Sequence, residues 1–398
     1  MMIRLRYGDK EMSWGMPVSA INLQDILDRM NVQSGREIEF MFSKYDMVDL
    51  PANILDKWYK ADIYKLNVFA ERFQRLEDHQ KAGFKSVLMR NPDSSIDDMI
   101  AMTYGIDCVP VYPAKNYAEL GEIAVENEML PEIEECSDAV IGLLDYEKVG
   151  KLLAERDKGV LMDGYYCMPD SYEEPDISLT IEVPDKRFFR VLVSPSATTT
   201  DQAQWFNLPE DIRKLREYSA EHNSTPEQMY ITEVESVLPN ITDAAYYEAY
   251  WVEDMIALSE QMTCMSKARV VKLKAVMEAE NVQTFSGARE AINCLNEYDF
   301  DPMVQDESQY GKVYACRAFS TNFDWSILEG CDMDDFGKQV LRHKHGELTE
   351  YGVLSGRGQK LYTILISESE PMDEKEKLTE DESETEDESE EMSMGGIS

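Results

Sequence analysis

Residues able to carry chemistry are few. The histidines are His79, His222, His343 and His345, and seven cysteines stand at 108, 136, 167, 264, 294, 316 and 331. His343-Lys344-His345 is the best metal candidate, but an i,i+2 spacing on a helix sends the two imidazoles to different faces. Cations drawn to the negative end of a helix account for that cluster better. The cysteines are scattered, odd in number and never spaced CxxC, which fits neither a zinc ribbon nor a disulfide scaffold; buried reduced thiols are the simplest reading. HExxH, GxxxxGK[ST], GxSxG and GxGxxG are all missing. SGRG at 355–358 reads as a hairpin turn between Val353 and the LYTILI strand, not as a phosphate loop. Paired carboxylates occur throughout the chain, so no pair is marked out for glycosidase-type acid–base work. Met99, Met102, Met255 and Met262 sit at helical spacing and suit core packing. The expectation is a protein without catalytic residues, bound metal or cofactor.

Charge is the dominant feature. Seventy-eight acids against 39 bases leave a formal −39, with a pI near 4.4. Such a surface repels nucleic acid and anionic membrane and attracts basic partners. Hydrophobic content of 43% with 10% aromatics is ordinary for folded protein. The start, MMIRLRYGDKEM, lacks the apolar core of a signal peptide, and no run approaches a membrane span. A soluble, cytoplasmic protein is expected. Residues 367–398 hold 14 Asp and Glu against two Lys, too little apolar surface to fold, and are expected to form a disordered acidic tail. That leaves −27 on residues 1–366.

The elements that must carry these acids occur twice. LPANI at 50–54 meets LPNI at 238–241, displaced by 188 residues; GIDCVP at 105–110 meets EYDFDP at 297–302, displaced by 192. YAELGE at 117–122 meets ESQYGK at 307–312 with an offset of 190 at the glycine, and Gly150 and Gly159 meet Gly337 and Gly346 with an offset of 187. Landmarks in one order and near one displacement indicate duplication of a domain-sized unit. The reading is α+β, with unit 1 over residues 1–168, a linker over 169–177, unit 2 over 178–366 and the tail beyond. Each unit opens with a strand (3–7; 188–193) and an amphipathic helix (INLQDILDRM; LPEDIRKLREY, with Pro209 in its first turn). A second strand follows, EIEFMFSKY or EQMYITEVES. Several helices come next, the third starting near Ser95 or Ser286 as cap. Each unit closes with a helix over 146–157 or 334–344, stopped by Gly159 or Gly346 in a left-handed turn, and a last strand. Gly150 and Gly337, inside those helices, cost about 1 kcal/mol each against alanine; close approach of another backbone, within the unit or across a pairing surface, would offset that cost.

YEKVGKLLAERDKGVLMDGYY resembles the closing segment of ArdA-type antirestriction proteins, a DYxAYGRDL-like helix, an acidic loop and a TDGGYV-like strand. Asp145-Tyr146-Glu147, Gly150 and Asp163-Gly164-Tyr165 occupy the matching places. The second copy keeps the order through Gly337, Gly346 and Gly352, with Met333 where the tyrosine would be. SKYDMVDLP and ITEVESVLP resemble pieces of the family's first domain. The likeness spans most of each half and implies two elongated ArdA-like units in tandem. It implies a non-enzymatic mimic of bent B-form DNA that fills the basic groove of a type I restriction–modification enzyme and protects incoming mobile DNA. A duplex carries one charge per ~1.7 Å of axis, so 27 charges equal about 46 Å of naked DNA. On this reading Asp97, Asp98, Asp107, Asp145, Glu147, Asp157, Asp163, Asp332, Asp334, Asp335, Glu347 and Glu350 form the partner-binding surface. Tyr146, Gly150, Gly159, Gly337 and Gly346 serve structure or assembly, and the resemblance places Gly150 at a pairing surface, between chains or within one. Other occupants of the same charge are open: an anti-CRISPR-type inhibitor of another nucleic-acid-binding complex, an acidic chaperone or adaptor for a basic protein, or a carboxylate hydrolase.

Overall fold

The computed structural model describes residues 1–32, 37–134, 137–178, 181, 187–196, 200–241, 251–318 and 325–356. The expected acidic tail and the LYTILI strand lie outside the described residues. The chain is α+β and divides into two compact units, Met1–Arg187 and Phe188–Ser398.

Unit 1 begins with β1 (Met2–Tyr7), which turns through Gly8, at φ +59°, into antiparallel β2 (Lys10–Gly15). Ile3 and Leu5 alternate inward from β1 and are buried, as a half-buried strand requires. Helix α1 (Ala20–Arg29) is capped by the Ser19 side chain, which accepts from the Asn22 amide, and it buries Leu23, Ile26 and Leu27. β3 (Glu37–Phe42), the short α2 (Ala52–Leu55) and β4 (Tyr59–Asp62) complete a sheet of order β2-β1-β3-β4. Three helices follow: α3 (Ile63–Arg75), α4 (Asp78–Arg90) and α5 (Ile96–Gly105). The α4 run Ala82–Leu88 is buried on every face, so α4 is the inner helix. Phe40, Phe42, Tyr59, Phe69, Phe73 and Phe84 stack in an unbroken series with centroids 5.2–6.1 Å apart, joining sheet to helices. The remainder is β5 (Val111–Tyr112), α6 (Tyr117–Glu126), the short α7 (Pro131–Glu134) and α8 (Asp138–Ile141), α9 (Tyr146–Asp157), β6 (Val160–Met162) and β7 (Tyr165–Cys167). It forms a second sheet, β5-β7-β6.

Unit 2 repeats this plan. β8 (Phe189–Ser194) lies between β9 (Gln204–Leu208) and, after α10 (Ile212–Glu221), β10 (Tyr230–Ser236). Then come α11 (Trp251–Thr263), α12 (Lys267–Ala279), α13 (Phe285–Cys294), β11 (Asp299–Asp301), α14 (Glu307–Ala318), α15 (Met333–His343), β12 (Glu347–Thr349) and β13 (Gly352–Ser355). The closing sheet is β11-β13-β12, with the last strand central as in unit 1. The inner helix is again buried on all sides, from Val270 to Met277 apart from Lys272. Met99, Met102, Met255 and Met262 are all core residues.

Several expectations need correction. Unit 1 extends past the expected linker: Tyr172, Ile177 and Ile181 pack on its core, three apolar side chains set among acids. Pro209 precedes α10, following Leu208 across a cis peptide, and α13 is capped by Thr284 rather than Ser286. The expected SGRG turn falls largely outside the described residues, which end at Gly356. The proline landmark is out of register: Val111 pairs with Cys167 as Phe300 pairs with Leu354. Pro110 and Pro302 therefore occupy different places.

The glycines carry the largest correction. α6 and α14 each pack tightly on the closing helix of their unit. A Cβ on Gly150 would sit 1.9 Å from the Tyr117 carbonyl oxygen, and one on Gly121 1.8 Å from that of Tyr146. Gly337 and Gly311 meet Glu307 and Met333 in the same way. The helices thus cross backbone on backbone, where only glycine fits. Gly150 is buried inside its own unit and is not part of an outward pairing surface. Nor do Gly159 and Gly346 hold the left-handed turns: Lys158 (φ +52°) and His345 (φ +50°) do. A Cβ on Gly159 would fall 2.2 Å from the Tyr166 hydroxyl, and one on Gly346 2.9 Å from Leu341 Cδ2, so these glycines are needed for space.

Gly150→Ala is therefore expected to destabilise by about 2 kcal/mol despite alanine's better helix propensity, because the methyl group overpacks the crossing. Denaturant unfolding reads the loss, and light scattering should show an unchanged mass.

Candidate interaction surface

The helix pair α6–α9 turns apolar and small residues inward and acids outward, with bases beside them on α9. α6 turns Leu120, Gly121 and Ala124 inward and leaves Glu122 and Glu126 exposed; α9 buries Gly150, Leu153 and Ala154 and exposes Glu147 and Glu155. Asn116 caps α6 by accepting from the Glu119 amide, and Asp145 caps α9 by accepting from that of Lys148. Carboxylates in the first turn also favour the positive helix end.

The twelve predicted acids divide by what they touch. Asp145 caps α9 and pairs with Lys148 at 3.1 Å, which lowers its pKa; Glu147 pairs with Lys151 at 2.6 Å. Their counterparts repeat these roles: Asp332 caps α15 through the Asp335 amide, and Asp334 pairs with Lys338 at 2.6 Å. Asp335 accepts from Gln339, Asp98 closes a capping box with Ser95, Asp97 pairs with Lys65, and Asp107 accepts from Gln80. Asp157, mostly covered, pairs with Arg156. Glu347 and Glu350 are exposed in β12 and the turn after it. The repetition of acids between the copies is thus explained by helix capping and local ion pairs. Tyr146 supplies its backbone to the glycine crossing, as Met333 does.

Asp163 has a structural duty besides its place on the surface. It stands at φ +51° in the β6–β7 turn and accepts at 2.7 Å from Lys85, whose side chain is only 7% exposed. Burial would raise its pKa, but hydrogen bonds with Asp49 and Lys85 outweigh that and hold the carboxyl below its usual range. Asp163 therefore neutralises an internal lysine. Lys85 has a counterpart in unit 2, the fully buried Lys274, placed 5.6 Å from the Tyr351 ring. A lysine inside an apolar helical run, GFKSVLM or KLKAVM, was the available signal for both.

Within unit 1, exposed acids without such duties are most frequent after residue 100. Residues 1–100 hold 16 acids and 14 bases, whereas residues 101–187 hold 20 acids and 7 bases. Glu122, Glu126, Glu128 and Glu155 are exposed there and make no ion pair among the described residues. The glycine contacts align α6 with α14 and α9 with α15; on that alignment Glu122 corresponds to Lys312, Glu155 to Arg342 and Asp157 to Lys344. The two units share a frame but not a charge pattern.

No family model matches the chain, and neither curated proteins nor solved structures show a significant similarity to it.

Asp163→Asn should cost about 2 kcal/mol, below the ~3–5 of a fully buried pair because Asp163 is partly exposed. Adding Lys85→Met should recover most of that loss in a denaturant titration, since it removes the stranded charge.

Proposed function

We infer that this chain is a DNA mimic that occupies the basic DNA-binding groove of a bacterial defence enzyme, with a type I restriction–modification complex as the target that the family resemblance favours. One observation carries the reading: the acid excess of unit 1 is confined to residues 101–187, where the exposed Glu122, Glu126, Glu128 and Glu155 make no ion pair among the described residues. Rows of carboxylates standing off rigid helices are preorganised to meet Lys and Arg that ordinarily bind phosphates. Such an encounter is steered electrostatically and weakens as salt rises.

The acids that matter are then the uncompensated ones rather than the capping ones. Reversal of Asp145 or Asp332 removes a helix cap, so a loss of function there would confuse folding with binding. Glu122→Lys, Glu126→Lys and Glu155→Lys together should leave the fold intact, since exposed changes stay within about 0.5 kcal/mol each. The same triple change should weaken inhibition by about tenfold or more. Lys312→Glu with Arg342→Glu, at the corresponding unit 2 positions, is the control and should not weaken it. The assay is plating of unmodified phage on a host with type I restriction, with and without each variant. If the triple variant protects as well as the parent, this face is not the binding surface.

A further inference from the structure

The two units differ in how they fill the space beside their last strand. Strand pairing sets Tyr112 opposite Tyr166 in unit 1, and Asp301 opposite Val353 in unit 2. Tyr166 is fully buried, with Tyr112 packed against the same cluster. The glycine contacts align α6 with α14, which sets Leu120 and Ala124 against Tyr310 and Tyr314. Unit 1 thus carries two rings on the sheet and aliphatic side chains on the helix, whereas unit 2 carries the rings on the helix. The exchange does not refill the space. A cleft of about 500 Å³ lies between β11, β13 and α14, within the range of small-molecule sites. Val353 lines it where unit 1 has the Tyr166 ring.

The lining suits a planar ring. Phe300, Tyr310 and Tyr314 border the cleft, and Tyr310 and Val353 are buried. The two tyrosine rings stand 6.5 Å apart and tilted by 40°, an arrangement against which a third ring can pack. Polar groups converge on the same space. The hydroxyls of Tyr310, Tyr314 and Ser355 make no hydrogen bond among the described residues, so each can donate to a ligand.

Charge narrows the ligand further. Arg317 is engaged by Asp301 at 2.9 Å. Lys344 is exposed and makes no ion pair among the described residues, and its Nζ lies 6.0 Å from the Tyr314 ring. Asp299 also borders the cleft and is exposed. Its charge opposes a dianion such as a phosphate monoester more than it opposes a single carboxylate.

We propose that this cleft of unit 2 binds a small aromatic carboxylate, with the ring against Tyr310 and Tyr314 and the carboxylate at Lys344. A bond from ammonium to carboxylate is charge-assisted and stronger than one between neutral groups. The position of Lys344 beside the Tyr314 ring brings the charge and the aromatic surface within reach of one small molecule. In unit 1 the Tyr166 ring takes up that space, and Asp157, at the place of Lys344, would repel a carboxylate.

The test is calorimetric titration of the full chain with cinnamate and with cinnamyl alcohol, which has the same ring without the charge. Cinnamate should bind saturably with a Kd of about 1 mM or tighter, as a ligand of its size allows. The alcohol should bind about tenfold more weakly. Lys344→Gln should weaken cinnamate about tenfold and leave the alcohol unchanged. Val353→Tyr, which restores the unit 1 ring, should abolish binding of both. Lys344→Gln changes an exposed side chain and tests the proposal even if the bulkier variant fails to fold. Absence of saturable binding to the parent, or equal affinity for the two probes, would overturn the proposal. So would parental affinity for cinnamate in Lys344→Gln or in folded Val353→Tyr.

Discussion

Like-charge repulsion is the constraint under which this fold is built. Seventy-eight carboxylates must be carried with half as many cations, and unpaired charges destabilise a compact state through self-repulsion. The first unit meets this by segregation. Its sheet and three-helix body is nearly balanced, with Arg6 on Glu39, Lys57 on Asp93 and Lys65 on Asp97. Excess acid falls on α6, on Glu128 after it, and on the exposed Glu173, Glu174 and Asp176 beyond β7, where water screens it. At helix starts Asp145 and Asp332 offset the cost of their charge by accepting backbone amides. An acid excess and a stable fold therefore coexist because different carboxylates serve each.

The helices bearing the acids are held by the crossing of Gly121 on Gly150, and in unit 2 by Gly311 on Gly337. Backbone contact at that point leaves little freedom in how α6 and α9 pack, so their outward faces are defined by the inward ones. On this shared frame the copies have diverged in charge, with Lys312 and Arg342 where unit 1 has Glu122 and Glu155. If the chain is a DNA mimic, its two units do not present the same surface, and the acidic face of unit 1 is the stronger candidate for a basic groove.

Much of the architecture was legible from local pattern. The α1, α3 and α9 stripes, the Ser95 cap and the doubled closing helix all follow from periodicity and capping chemistry. Strands β2 and β9 were missed because KEMSWG and QWFNL alternate weakly and pair only through their neighbours. α6 was missed because its buried face is made of Leu120, Gly121 and Ala124, small residues that signal a close crossing only once the partner helix is known. Asp163 could not be separated from the surface acids by sequence, since its role depends on Lys85, 78 residues away. The glycines at 159 and 346 were correctly placed after helices but given the wrong duty, because a left-handed residue and a residue without room for a side chain look alike in sequence.

The central claim is that this protein takes the place of DNA on a basic groove. Its most direct measurement is displacement of a fluorescent duplex from a purified type I restriction–modification complex, followed by anisotropy at low and at physiological salt. Displacement near one protein per DNA-binding site, with a midpoint that worsens steeply as salt rises, is the predicted result. A duplex that stays bound under a large molar excess of this protein at low salt would contradict the account.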